Sequence, residues 1–333
     1  MNRQTLGTAA GAPPGGSFGP LASPPGDAGH ERASGWRAVV RVLRSPSVLP
    51  RTLLHDLVTT VFPADCRVCG GPLLRAGMVP VCDACADELA PQSSSTSGTL
   101  CGRCGEALGL NLDLESIEDQ RFLAGMLPEG VLCSDCRATP PHFARAVAYG
   151  AYREGLREMV HQLKYERVSA LAKPLGAKLA ETIRQLETTA DLSLMVVAVP
   201  LFPARQAERG YNQSILLADA AIRFLKTTTP AWKLTAAHAA LKRTRHTESQ
   251  YALSPKGRHA NLRGAFEVAD KAVFAGKEVL LIDDIYTTGA TAGECARVLR
   301  KAGAARVWVA TLARAQVERA RAEPEDSVAM WSH

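Results

Sequence analysis

The sequence predicts an α/β domain built on a parallel sheet and preceded by a cysteine-rich double ribbon, and three observations carry that expectation. Four C-x-x-C pairs crowd the chain between Cys66 and Cys136. From Ala146 onward, uncharged β-branched runs alternate with stretches of helical spacing, the pattern of strands buried between helices. One such run, Val279 to Ile282, ends in two carboxylates and a turn of small residues, Asp283-Asp284-Ile-Tyr-Thr287-Thr288-Gly289-Ala290-Thr291. Open α/β sheets bind ligands at the C-terminal ends of their strands.

At 333 residues the chain exceeds one comfortable core, since cores stop growing near ~250–300 residues, so two folded units and a tail are expected. Hydrophobic content of 46% and charged content of 22% are ordinary for a globular protein. No apolar run approaches the ~20 residues that span a bilayer, so a cytoplasmic protein without stable membrane insertion is expected. Residues 1–35 are rich in Gly, Pro, Ala and Ser, lack the apolar core of a secretory signal, and read as a disordered extension. Residues 36–62 form a lead-in with a short helix expected around Leu53 to Val58, and Pro46 and Pro50 break it too early for an amphipathic membrane anchor.

Residues 63–140 hold the ribbons. Eight of the nine cysteines form the pairs Cys66/Cys69, Cys82/Cys85, Cys101/Cys104 and Cys133/Cys136. Each pair can place two thiolates on one metal ion, and two pairs complete a tetrahedral Cys₄ site, so two structural Zn2+ ions are expected. Pairing in chain order gives one ribbon with 12 residues between its knuckles and a second with 28, split by a linker from Pro91 to Gly98. Interleaved pairing stays open. Disulfides are the alternative, but without a secretory signal the compartment is expected to be reducing, and thioredoxin-like pairs do not usually come four in a row. Zinc binding of ~10–16 kcal/mol suffices to fold a region with little apolar core of its own. Chelation is therefore expected to unfold this module and leave the C-terminal domain standing. Cys295 reads as a small buried hydrophobe.

Residues 141–315 form the α/β domain, followed by a tail at 316–333. A strand at Ala146 to Tyr149 leads into a helix carrying Leu156, Met159, Val160 and Leu163, which Lys164 and Tyr165 end. A helix from Leu171 to Leu186 precedes a central strand, Leu194 to Val199. The loop after that strand holds Arg205 and Arg209, and Asn212 is a candidate cap for a helix from Ser214 to Leu225. Strands at Ala239 to Lys242 and Ala265 to Val268 follow, then the acidic strand, a helix to Lys301 stopped by Gly303, and a last strand from Arg306 to Leu312. The net charge of +6 does not by itself indicate nucleic acid. Between Lys242 and Arg263, however, six Lys/Arg face one acid, Glu248, and such a segment attracts polyanions, whether pyrophosphate or DNA.

The turn Thr287 to Thr291 can offer backbone N–H groups and hydroxyls to a phosphate, with Gly289 allowing close approach and the next helix presenting its positive end. Asp283 and Asp284 are left for ribose hydroxyls or a hydrated Mg2+. The plain alternative is an ordinary strand, turn and helix with an acidic pair. The segment resembles the 5-phosphoribosyl-1-pyrophosphate (PRPP) loop of type I phosphoribosyltransferases, with Tyr286 where that pattern has an aliphatic residue. Together with the ribbons and the motifs Arg209-Gly-Tyr-Asn-Gln213, Arg243-Thr-Arg-His-Thr-Glu-Ser-Gln250 and Arg258-His-Ala-Asn261, the chain resembles the competence-associated ComF family from about residue 55 to 315.

The resemblance implies the type I fold, with the 5′-phosphate on Thr287, Thr288, Gly289, Ala290 and Thr291 and the ribose hydroxyls on Asp283 and Asp284. Arg205 and Arg209 would clamp the pyrophosphate and stabilise its charge as it leaves. Arg243, Arg245 and Arg258 would lie in a closing lid, though a solvated charge run explains them nearly as well. The implied partners are PRPP with Mg2+, single-stranded DNA and other DNA-uptake proteins. Three functions compete: transfer of phosphoribose to an acceptor that no residue identifies, handling of single-stranded DNA, and sensing of PRPP without catalysis. Aromatic content of 5% is thin for a single-strand stacking platform. The glutaminase of an amidotransferase usually has an N-terminal cysteine, and the first cysteine here is Cys66, inside a knuckle.

Overall fold

The computed structural model describes residues 64–73, 79–89, 91, 99–108, 130–246 and 255–315. The expected extension, the lead-in with its helix, nearly all of the Pro91 to Gly98 linker, the tail and the Arg258 side chain lie outside the described residues. The chain divides after Leu54, so its first unit lies outside them as well.

The uncharged runs become strands. Among the described residues these are β1 (Arg145–Ala151), β2 (Ser193–Ala198), β3 (Lys233–Ala236), β4 (Leu241–Arg243), β5 (Phe266–Val268), β6 (Glu278–Tyr286) and β7 (Arg306–Arg314). Five of them form one sheet in the order β1-β7-β6-β2-β3, every neighbouring pair parallel. Lys233–Ala236 was not expected as a strand, because it is a short edge element with one buried residue, Leu234. The strand expected at 239–242 begins with a 3₁₀ turn, His238–Ala240, and continues as β4, which pairs antiparallel with β5 outside the main sheet.

The helices among the described residues are α1 (Asp83–Asp87) and α2 (Ser134–Ala138) in the ribbons, then α3 (Glu154–Tyr165), α4 (Ala172–Arg184), α5 (Pro203–Arg209), α6 (Gln213–Thr228), α7 (Pro255–Leu262) and α8 (Ala290–Lys301). Helix α5 lies in what reads as a plain loop. Pro203 starts it, where a missing N–H costs nothing, and Gly210 stops it in the left-handed conformation at φ 81°.

Two apolar groups cover the two faces of the sheet. On one, Met159, Leu163, Leu175 and Leu217 from α3, α4 and α6 pack on Val196, Leu280 and Ile282. On the other, Cys295 and Leu299 from α8 pack on Val197, Val279, Leu281 and Val309. The ribbons join different groups: Cys66 and Cys85 of the first belong to the α3 side, and all four cysteines of the second belong to the α8 side. Backbone contacts reinforce this, with Tyr149 Oη donating to the Leu89 carbonyl at 2.5 Å and the Ala146 N–H to the Arg103 carbonyl at 2.7 Å. Ribbons and sheet are continuous in packing, which points to a different thermal behaviour from that of a module that unfolds by itself.

Candidate functional site

Strand β6 carries Asp283 and Asp284 to the C-terminal edge of the sheet, in adjacent positions with different surroundings. Asp284 is 3% exposed and fully engaged: Gln213 Nε2 donates to Oδ2 at 2.7 Å, and Lys164 Nζ lies 2.9 Å from Oδ1. Burial works to discharge Lys164, but Asp284 and then Asp283 outweigh it and hold the ammonium above its ordinary value. Among the described residues Asp283 accepts on Oδ1, from Ser214 Oγ at 3.0 Å and from the Asp284 N–H at 2.9 Å, and no bond to Oδ2 is seen there. Burial first and the neighbouring Asp284 second push its pKa up to about 7.

Sequence reasoning missed Lys164, Gln213 and Ser214. Lys164 sits in the last turn of α3, where a basic residue is ordinary helix-end chemistry. Gln213 and Ser214 open α6 behind Asn212, whose side chain caps the helix by accepting from the Ser214 N–H at 2.9 Å and donates to the Val199 carbonyl at 3.0 Å. That cap aims the first turn of α6 at the acid pair.

The turn after β6 has the features expected of an anion cradle. Gly289 is left-handed at φ 76°, and α8 starts from it with no side-chain cap on its first N–H groups. The Thr288 hydroxyl is buried without a hydrogen-bond partner among the described residues, a rare condition that a ligand oxygen would relieve.

The arginines divide by position. Arg209 donates to Gln213 Oε1 at 2.9 Å and lies over the Tyr165 ring at 5.1 Å, so a polar chain runs Arg209–Gln213–Asp284–Lys164. Arg205 is exposed on α5, with Glu208 at 3.8 Å. Arg243 stands within electrostatic reach of Asp283 and of the two arginines Arg205 and Arg245, and burial holds its pKa below the ordinary value. Arg245 donates to the Asn261 carbonyl at 2.6 Å and the Arg263 carbonyl at 3.0 Å, anchoring the end of α7.

The cysteines gather in chain order. The sulfurs of Cys66, Cys69, Cys82 and Cys85 lie within 4.8 Å of one another, as do those of Cys101, Cys104, Cys133 and Cys136. Both clusters are built alike: a left-handed Gly70 or Gly105 follows the first pair, and Cys82 or Cys133 caps the short helix of the second. Backbone N–H groups point at sulfur, from Cys82 to Cys66 and from Cys133 to Cys101, each at 3.3 Å. N–H donors around four convergent sulfurs suit thiolates holding a metal, so both sets fit a Cys₄ ion. Cys295 is buried apart from both clusters, and burial drives its pKa well up.

A parallel sheet ending in an acid pair and a glycine turn that opens a helix, with two Cys₄ clusters preceding it in the chain, defines a phosphoribosyltransferase-type domain carrying a double ribbon. The phosphoribosyl transferase domain family matches residues 213–330. The DNA utilization protein YhgH of Escherichia coli K12 is 32% identical over 254 residues, covering 76% of this chain and 97% of that protein. Competence protein F of Haemophilus influenzae is 34% identical over 186 residues, 55% of this chain and 78% of that protein. The chain belongs to the ComF/YhgH family. Among solved structures, glutamine PRPP amidotransferase from B. subtilis, complexed with ADP and GMP, is 23% identical over 43% of this chain and 26% of that one; at a TM-score of 0.27 the overlap adds nothing to the fold described above. Among the described residues no helix is long and apolar enough to cross a membrane.

Proposed function

We propose that the chain binds Mg2+–PRPP at the C-terminal edge of its sheet and transfers the phosphoribosyl group to an acceptor, in a process of DNA uptake or use. One observation carries the reading: Asp283, bonded through Oδ1, beside the fully engaged Asp284, directly before a turn whose buried Thr288 hydroxyl has no hydrogen-bond partner among the described residues. In this reading the turn Thr287 to Thr291 takes the 5′-phosphate and Asp283 takes the ribose hydroxyls with its second oxygen. Lys164 and Gln213 hold Asp284 in place. Arg205, Arg209 and Arg243 supply cations for the pyrophosphate, where charge grows as the glycosidic bond opens. Mg2+ would neutralise the pyrophosphate near the acid pair. In this reading the two Cys₄ sets hold structural zinc, and thiolate clusters of this kind suit a reducing compartment such as the cytoplasm.

Calorimetric titration with Mg2+–PRPP tests this, with Asp283→Asn/Asp284→Asn as the isosteric control. Saturable binding by the natural chain that disappears in the control is expected. A folded, metal-loaded protein that takes up no PRPP would overturn it.

The names of the relatives, DNA utilization and competence proteins, favour a second reading in which the basic stretch from Lys242 to Arg263 binds single-stranded DNA. Such binding weakens steeply with salt and falls when Arg243 and Arg258 become Ala. If PRPP is a signal and not a substrate, it must change DNA affinity by the factor by which DNA changes PRPP affinity.

A further inference from the structure

Tyr286, the residue that departs from the phosphoribosyl pattern, stands between the second cysteine cluster and the phosphate turn. In the parallel pair β6/β7, Tyr286 is registered with Arg314, so their side chains leave the strand ends as neighbours. The Arg314 guanidinium lies 4.5 Å from the centroid of the phenol ring. Both residues are buried, at 7% and 5% exposure.

Arg314 directs its donors into the ribbon. Nη1 donates to the Cys104 carbonyl, Nη2 to Glu106 Oε2 at 2.5 Å and to Cys104 Sγ at 3.7 Å, and Nε to Glu106 Oε2 at 3.2 Å. The Tyr286 ring also meets Phe143 edge-on at 6.3 Å, within the same apolar group as Cys101, Cys104, Cys133 and Cys136. At the other end of the ring, a Cβ added to Gly289 would lie 2.1 Å from Tyr286 Oη. The phenol hydroxyl therefore fills the space beside the left-handed residue from which the phosphate turn enters α8. One unbroken line of contacts runs from a cluster sulfur through a guanidinium and a ring to the backbone of the turn.

We propose that Tyr286 and Arg314 are positioning residues for the phosphate turn, and that through them ligand binding there depends on metal occupancy of the Cys101/Cys104/Cys133/Cys136 cluster. The inference rests on the phosphoribosyl reading of the turn. With a metal ion holding the four sulfurs, the Cys104 carbonyl and sulfur stay fixed as acceptors for Arg314, and the guanidinium holds the ring against Gly289. Once the sulfurs separate, Arg314 loses acceptors in a buried setting, the ring is released, and the turn loses the wall that sets its shape. Coupling of this kind is reciprocal, so a ligand in the turn must slow metal loss from the cluster.

Two measurements test it: the affinity for Mg2+–PRPP in the natural chain, Tyr286→Phe and Arg314→Lys, and the rate at which zinc passes to a chromophoric chelator with and without PRPP. Tyr286→Phe removes only the hydroxyl, and Arg314→Lys keeps the charge but not the fork. Each is expected to weaken PRPP by about fivefold or more, and PRPP is expected to slow the release of one of the two metal ions. Should Arg314→Lys fail to fold, Tyr286→Phe and the release rates decide. If the natural chain binds PRPP, the variants bind it equally and metal release ignores PRPP, the inference is wrong and the phosphoribosyl reading survives. If the folded, zinc-loaded natural chain binds no PRPP, that reading fails and takes the inference with it.

Discussion

Two adjacent carboxylates at the end of one strand cannot both hold a full charge cheaply, and the fold separates their roles through their partners. Asp284 has Lys164 and Gln213, whereas burial and Asp284 push Asp283 up to about 7 from 3.8. Between those two values the unfolded chain gives up a proton that the native protein keeps, so Asp283 lowers stability as pH rises from about 4 to about 7 and adds nothing further above. Asp283→Asn should accordingly gain on the natural chain over that window, and urea denaturation at pH 4, 6 and 8 would show it; a stability difference flat with pH would contradict the assignment. Lys164→Met leaves two carboxylates without their cation. A loss on the order of 3 kcal/mol is expected at pH 8, as for a broken buried ion pair, shrinking at pH 5 as protonation relieves the repulsion. The acids and the turn were legible in the sequence because their spacing is local. Lys164 was not, since its partner lies far along the chain and a lysine ending a helix needs no further explanation.

Close helix packing sets a second requirement. A Cβ on Gly176 of α4 would lie 2.3 Å from Ala220 Cβ and 3.2 Å from backbone atoms of α6. Alanine is favoured over glycine inside a helix by about 1 kcal/mol, yet here the clash outweighs it, because backbone cannot swing aside as a flexible side chain can. Gly176→Ala should therefore destabilise by about 1–3 kcal/mol, and Ala220→Gly in the same chain should recover much of the loss in thermal melts. The central strands and long helices were legible from uncharged runs and helical spacing. Strand β3 and helix α5 were not: a four-residue edge strand has too few positions to show alternation, and Pro203 to Arg209 is polar enough to read as loop. Strict alternation along β6 also misplaces Tyr286. It predicts the face of Leu280 and Ile282, but Tyr286 packs with the opposite apolar group, beside the second ribbon.

At the scale of the molecule, the ribbons contribute cysteines to both apolar groups of the sheet. Removing metal should lower the melting temperature of the whole α/β domain and not merely erase a ribbon transition. Calorimetric scans with and without chelator check this, and an unchanged sheet transition would restore the separable-module view. The sheet order carries one more consequence. Among the described residues strand β1 has β7 as its only neighbour in the sheet, and β7 is the last strand in chain order. During synthesis on the ribosome, the cysteine clusters and β1 emerge first yet have no sheet to join until residues 306–314 follow. A nascent chain halted before Arg306 would thus leave β1 and one edge of β6 without their partner, which makes completion of β7 the event that closes the sheet.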